Sequence, residues 1–501
     1  MRHPETTSDG FLWQAFLIFA ASVFAPFQAF TSNTEAPSLS TAVAVTLLVT
    51  AVGLLVRWAL VRAGLAGLGA TYAVSLFLVF FMNTGAFVED FSGGRWALLS
   101  MTLLVAAIGY RLRGLRVFQV LLTWGAFFLI AMPLLTLFDN ASPGPVTIDA
   151  GIEMTTSDPV AKPDVVVIVA DGYPADRVLS GLYAIDNQGF YEELENLGFE
   201  VGRDVVSNYP FTVLSVSTML QLDYVAGEQA LTRSDFDAMY DMLGGANRLA
   251  GWLKTHGYSQ TLVESGWLGT TCGEQVDTCV SGPWPDESLY DIAARSQLRG
   301  LSGLEEGRSF SRGTVRTMTW LETELEGLLL NDLPDYVYVH LLAPHPPLFL
   351  NSACENQPSS ETSGFTMAAP WSTAAEIEVR RAAFSEQLAC VNRALLNAAR
   401  RAVEGGAFMV IFGDHGTDLG GQLYVDGTEW DDAQIWERYR PTVAGYGEGC
   451  DFDDLGSLVN LGRRLVGCLT HDDIPDLGSH SYLASKSWDL TEANVPETPD
   501  G

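Results

Sequence analysis

Three short stretches of this 501-residue chain carry residue types that can hold a divalent cation or activate a hydroxyl. The run Val165-Val-Val-Ile-Val-Ala170 ends on Asp171-Gly172, and Ala407-Phe-Met-Val-Ile-Phe412 leads through Gly413 into Asp414-His415-Gly416. Unbroken apolar runs of this length read as strands buried on both faces, as in a parallel sheet. In open α/β sheets the functional crevice lies beyond the carboxyl ends of such strands. A carboxylate and an imidazole placed there suit one divalent ion of the Zn²⁺, Mn²⁺ or Mg²⁺ type. Taken alone, Asp171-Gly172 also reads as a turn, and Asp414-His415 leaves the choice open. The third stretch is Ser207-Asn-Tyr-Pro-Phe-Thr212-Val-Leu-Ser215. Pro210 and the apolar spacing after it predict a helix beginning near Thr212. A hydroxyl there faces unpaired N–H groups and the positive end of the helix dipole, a cradle for phosphate or sulfate. The plainer alternative is that Thr212 only caps the helix.

These residues need a sheet to position them. A third apolar strand is predicted over Tyr336–Leu342, and helical patterns fall at 187–197, 233–254, 310–330 and 376–403. Strands alternating with helices predict a doubly wound α/β domain. Pro143, Pro145, Pro159 and Pro163 mark a linker before it. The stretch 351–374, rich in Ser, Thr and Pro, reads as a surface loop closed by Cys354 and Cys390. The resulting division is a helical unit over 1–140, a linker over 141–162, the α/β domain over 163–485 and a polar tail over 486–501.

The first unit has a different chemistry. Apolar runs at 11–30, 39–56, 64–82, 96–110 and 117–138 predict about five transmembrane helices, since a span needs roughly 17–25 apolar residues. Arg57 and Arg62 follow the second run, and Arg111, Arg113 and Arg116 follow the fourth. The positive-inside rule then places the N-terminus and these two loops in the cytoplasm, and delivers everything after Asp139 to the outside. All six cysteines lie beyond residue 270. Their even number in one compartment points to disulfides in an oxidising environment, with sequence neighbours paired as 272–279, 354–390 and 450–468. The chain carries a net charge of −32; six acids against seven arginines in residues 1–140 give +1 there, which leaves −33 for the rest. No basic stripe accompanies this acidity, so nucleic acid is excluded as a partner.

The motifs Val-Val-Val-Ile-Val-Ala-Asp171-Gly, Asn208-Tyr-Pro-Phe-Thr212-Val-Leu-Ser215, His340-Leu-Leu-Ala-Pro-His345-Pro-Pro and Phe412-Gly-Asp414-His415-Gly416 occur in that order. Together they resemble the alkaline phosphatase/sulfatase superfamily. The resemblance is strongest to the membrane-anchored branch of lipoteichoic acid synthases and phosphoethanolamine transferases, and it covers most of 163–485. It implies a sulfatase-like fold with Asp171, Thr212, Asp414 and His415 as ligands of one metal ion, a second ion being left open. It also implies Thr212 as nucleophile, with His345 binding the transferred group or assisting the leaving group. The sulfatase signature needs a Cys or Ser and a nearby Arg, and Asn208–Thr212 has neither, which disfavours sulfate-ester hydrolysis. Asp171 stands where the synthase branch usually has Glu, so it does not separate transferase from hydrolase. His340 alternates with Tyr336 and Tyr338 and reads as structural, His471 and His480 as surface residues, and His256 as a helix-end residue.

Three functions are therefore expected in order. The first is an integral-membrane enzyme, its catalytic domain extracytoplasmic, moving a phosphoryl-type group from a lipid or envelope-polymer donor. The second is a phosphatase or phosphodiesterase using water, and the third a non-catalytic envelope protein. The sequence leaves the donor, the acceptor and the oligomeric state open.

Overall fold

The computed structural model describes residues 8–32, 39–83, 95–139, 157–282, 289, 292–293, 296–298, 308–331, 333–355, 373–419, 421, 423 and 425–499. It separates into two units, one formed by Met1–Ser142 with Trp284–Ser309, the other by Pro143–Pro283 with Phe310–Gly501. Much of the expected 141–162 linker and of the 351–374 loop lies outside the described residues.

The first unit contains helices α1 (Ser8–Ser32), α2 (Leu39–Arg62), α3 (Gly67–Asn83), α4 (Arg95–Leu112) and α5 (Arg116–Asp139). They match the five apolar runs of the sequence. Thr41–Arg62 is long and apolar enough to cross a membrane, while the other apolar stretches of the described residues are shorter. Their surfaces carry Leu47, Leu55, Trp124 and Phe128, all more than half exposed, as expected of helices with no core to bury a second face. Arg57 turns inward, its Nε donating to Thr71 Oγ1 at 2.8 Å and its Nη2 to Gln14 Oε1. Ile292 packs beside Ala25 and Met82, and the Gln297 amides donate to Phe81 O and Thr102 Oγ1. A stretch expected within the α/β domain thus belongs to the helical unit.

The second unit is built on a seven-stranded sheet: β1 (Val165–Ala170), β2 (Glu200–Val201), β3 (Ser259–Val263), β4 (Thr278–Val280), β5 (Asp335–Leu341), β6 (Phe408–Phe412) and β7 (Val443–Tyr446), in the order β2-β7-β6-β1-β5-β3-β4. β1 lies at its centre, parallel to β5 and β6. Every residue of β1 is buried, with Val166, Ile168 and Ala170 entering one core and Val165, Val167 and Val169 the other. That two-sided burial explains why the strand is a continuous apolar run. Early helices α6 (Asp176–Tyr183), α7 (Gln188–Asn196) and α8 (Thr212–Gln221) follow β1. The predicted helix over 233–254 is two, Arg233–Leu243 and Arg248–Thr255, parted at Gly244-Gly245, where Gly245 takes φ +104°. The long helix Ala374–Gly405 starts at a Thr373/Glu376 capping box and ends on Gly406 in the left-handed region.

The disulfides are Cys272–Cys279, Cys354–Cys390 and Cys450–Cys468, the neighbour pairing. The stretch expected as a polar tail, 486–501, contains a strand. Strand β8 (Ser481–Ala484) pairs with β9 (Leu490–Ala493), burying Leu490. Glu497 and Pro496 carbonyls accept from Trp436 and Arg440. A short β segment with one apolar residue per turn of the pleat is too weak a pattern to stand out from a polar stretch.

Candidate active site

β1 and β6 are adjacent and parallel, so their carboxyl ends release Asp171 and Asp414 side by side. The backbone pins both. Asp171 N donates to Leu341 O at 2.9 Å, and His345 N donates to Asp171 O at 2.9 Å. Gly172 N and His415 N donate to Asp414 Oδ1 at 2.9 and 3.1 Å. Gly172 adopts φ +64°, and a Cβ there would meet the His345 ring at 3.3 Å, so the turn that carries Asp171 favours glycine.

The third piece arrives on α8. Its first residue is Thr212, with Phe211 in the capping position, so Thr212 does not cap the helix. Its hydroxyl lies 3.2 Å from His415 Nε2. Two interactions lock the α8 loop to the Asp414 loop. Ser215 Oγ donates to Asp414 O at 2.6 Å. The fully buried Arg438 donates from Nε to Pro210 O at 2.8 Å and from Nη1 to Gly416 O at 3.0 Å. Asn208 is structural: its Oδ1 accepts from Val459 N and its Nδ2 donates to His480 O.

The resulting cluster is Asp171, Asp414 and His415, whose ligand atoms all lie within 4.8 Å of one another, with Thr212 beside them. His415 Nδ1 faces Gly416 O at 2.9 Å and donates its hydrogen there. The Nε2 lone pair therefore faces Asp414 Oδ2 at 3.2 Å and Asp171 Oδ1 at 3.7 Å. Both of those oxygens are buried and have no hydrogen-bond partner among the described residues. Three acceptors converge on one point with the single hydroxyl hydrogen of Thr212 to share among the described residues, so they repel one another at a cost that a bound cation removes. The residues thus fit a single divalent ion held by two carboxylates, an imidazole and a hydroxyl.

Electrostatics agree with this reading. Burial favours a neutral Asp171, but His345 and His340 outweigh it and hold its carboxyl well below the usual range. Asp414 moves the other way, raised by burial and by the charge of Asp171. Burial, with Arg438 nearby, keeps His415 neutral, the form that ligates metals.

His345 stands beside this group, its ring centroid 6.1 Å from that of His415. Its Nδ1 donates to Pro346 O at 2.6 Å, which leaves Nε2 for other partners. His340, expected to be structural, lies close to this group. It is fully buried, and its Nε2 lies 3.4 Å from Asp171 Oδ2. The tyrosine alternation along β5 hid it, because a period of two reports which face a residue takes and not what that face touches. Arg438 and Asp418 were also missed. Asp418 is buried within the electrostatic reach of Arg438 and His345, and neither residue belongs to a motif that could have announced it. His480 is exposed and pairs with Glu492, and His256 ends a helix with Nδ1 on Trp252 O. Glu264, Cys272 and Cys279 also cluster, but the two sulfurs are joined in a disulfide and offer no thiolate.

No family model and no curated protein matches the chain. Among solved structures it is similar to the C-terminal periplasmic domain of EcEptC from Escherichia coli, at 13% identity over 70% of this chain and 98% of that one, with a TM-score of 0.45. It is similar to the integral membrane protein lipooligosaccharide phosphoethanolamine transferase A from Neisseria meningitidis, at 14% identity over 92% and 95% of the two chains, TM-score 0.39. The phosphonate monoester hydrolase of Agrobacterium radiobacter matches at 12% identity over 64% and 80%, TM-score 0.40.

Proposed function

We propose that this protein is a membrane-anchored, extracytoplasmic enzyme that transfers a phosphoryl-type group from a lipid or envelope-polymer donor through a covalent intermediate on Thr212. One observation carries the reading. The Thr212 hydroxyl opens α8 at 3.2 Å from His415 Nε2, beside two buried carboxylate oxygens that lack hydrogen-bond partners among the described residues. Asp171, Asp414, His415 and Thr212 would hold one divalent ion, which supplies a lowered hydroxyl pKa and charge withdrawal from the phosphoryl oxygens.

The chain's own residues supply the rest. The Thr212 hydroxyl gives its proton to water and its oxygen attacks phosphorus in line, the Thr212 O–P bond forming as the donor's P–O bond breaks and its alkoxide departs on the opposite side. The positive end of α8 stabilises the charge that develops on the non-bridging oxygens. His345, oriented by its hydrogen bond to Pro346, binds the transferred group or passes a proton from Nε2 to the departing oxygen. An acceptor hydroxyl then attacks the phospho-threonine, its O–P bond forming as the Thr212 O–P bond breaks, and the proton it sheds restores the Thr212 hydroxyl. The apolar helices and the arginines flanking them support a lipid-linked donor, because they would hold the site near head groups.

Intact-protein mass spectrometry after incubation with a phosphodiester lipid tests this. A phosphoryl adduct on Thr212 that disappears in Thr212→Ala is expected, and undiminished turnover by that variant overturns the assignment. Product analysis with and without an acceptor alcohol separates transfer from hydrolysis.

A further inference from the structure

The two oxygens of Asp171 have different surroundings. Oδ1 faces His415 Nε2 at 3.7 Å and has no hydrogen-bond partner among the described residues. Oδ2 faces His340 Nε2 at 3.4 Å. His340 occupies β5 in register with Val169, two positions before Asp171 on the neighbouring strand. It is wholly buried, its ring and that of Trp267 meet edge to face, and among the described residues neither ring nitrogen has a well-aligned hydrogen-bond partner, the Asp171 Oδ2 approach being long. A histidine placed only for packing would leave two polar atoms buried at a cost that Phe or Leu avoids.

We propose that His340 is the positioning residue of the cation site: its Nε2–H donates to Asp171 Oδ2, so that Asp171 offers Oδ1 alone to the ion. The inference rests on the metal reading of the site given above. A carboxylate free to rotate can ligate through either or both oxygens, and each extra arrangement lowers the fraction of protein poised to bind. Clamping Oδ2 from outside the ligand shell removes those arrangements, and the loss of such partners costs metal sites about 10–100-fold in affinity. His340 touches neither substrate nor ion in this scheme.

The test uses the full-length protein in detergent, with zinc affinity and stoichiometry measured by competition with a chromophoric chelator. The variants are His340→Phe, which keeps the ring's bulk and removes the donor, and His340→Gln, which keeps a donor. The expected result is a zinc affinity lowered about 10–100-fold in His340→Phe at unchanged stoichiometry, with His340→Gln recovering much of it. Wild-type affinity in His340→Phe overturns the positioning role alone. So does a stoichiometry that falls by one ion, which would make His340 a ligand. A wild-type protein that binds no divalent ion overturns this inference together with the metal reading. A structure of the zinc-loaded wild type decides independently of how the variants fold. A His340 Nε2 to Asp171 Oδ2 distance below about 3.2 Å supports the clamp, and a bond from Nε2 to the ion overturns it.

Discussion

Thr212 Oγ1 and His415 Nε2 lie 3.2 Å apart across 203 residues of chain. The pairing depends on two loops meeting above one sheet edge, and on Arg438 and Ser215 tying them together. From it comes the most direct expectation. Thr212→Ala should lower turnover by about 10³-fold or more, since it removes the attacking oxygen. The Tm should move little, because the side chain is only partly buried and caps no helix. Thr212→Ser should retain part of the activity.

Removing metal should cost stability as well as activity. An ion present at about 100–1,000 times its Kd stabilises the folded state by about 3–4 kcal/mol. Chelation should therefore lower the Tm by several degrees, and Zn²⁺ or Mn²⁺ should restore it. Asp414→Asn should abolish the metal-dependent part of the shift, because it replaces the orphaned Oδ2 acceptor in the cluster or lowers its charge. Scanning calorimetry with and without chelator checks both.

Burial pushes the Asp418 carboxyl up to about 6, against the partial opposition of Arg438. A raised carboxyl binds its proton more tightly in the folded state than in the unfolded one, where it titrates near about 3.9. Its contribution to stability is thus fully present below about pH 4 and is lost as the pH rises through about 6. Asp418→Asn should remove that slope. In chelated protein the variant's Tm should gain on the wild type between pH 4 and pH 7, and parallel curves would contradict the assignment.

Gly416 lies against the backbone carbonyl of Glu437, where a Cβ has no room. Gly416→Ala should push apart the loop of His415 and the helix that ends on Arg438, reducing zinc affinity and Tm together. Zinc titration and a thermal melt of the same sample report both effects.

Reduction of Cys354–Cys390, which spans 36 residues, should destabilise the α/β unit by about 3–4 kcal/mol in the chain-entropy picture. A lower Tm under reducing conditions, reproduced by Cys354→Ser, checks it.

Much of this arrangement is legible in residue order. The apolar run Val165–Ala170 announces a strand buried on both faces because all six side chains must leave water. The acidic residues following two such runs then point to the sheet's carboxyl edge. The five apolar stretches of the N-terminal unit are visible for the same reason, hydropathy being a local property. What periodicity could not resolve is equally specific. Tyr336, Tyr338 and His340 look alike along β5, yet of the three it is His340 whose ring nitrogen approaches the Asp171 carboxylate. The weak strand Leu490–Ala493 passes for a tail until Ser481–Ala484 pairs with it.

The sequence by itself determined which residues could ligate a cation, which strands end beside them, and that the apolar helices and the cysteines occupy different parts of the chain. These depend on side-chain chemistry and on short-range pattern. Only the tertiary structure decided that Thr212 meets His415, that Asp171 Oδ1 and Asp414 Oδ2 share one unpartnered space, and that His340 stands behind Asp171. Those relations link residues up to 243 positions apart, as Asp171 and Asp414 are. They arise because β1, β5 and β6 pair side by side in an order the chain does not follow.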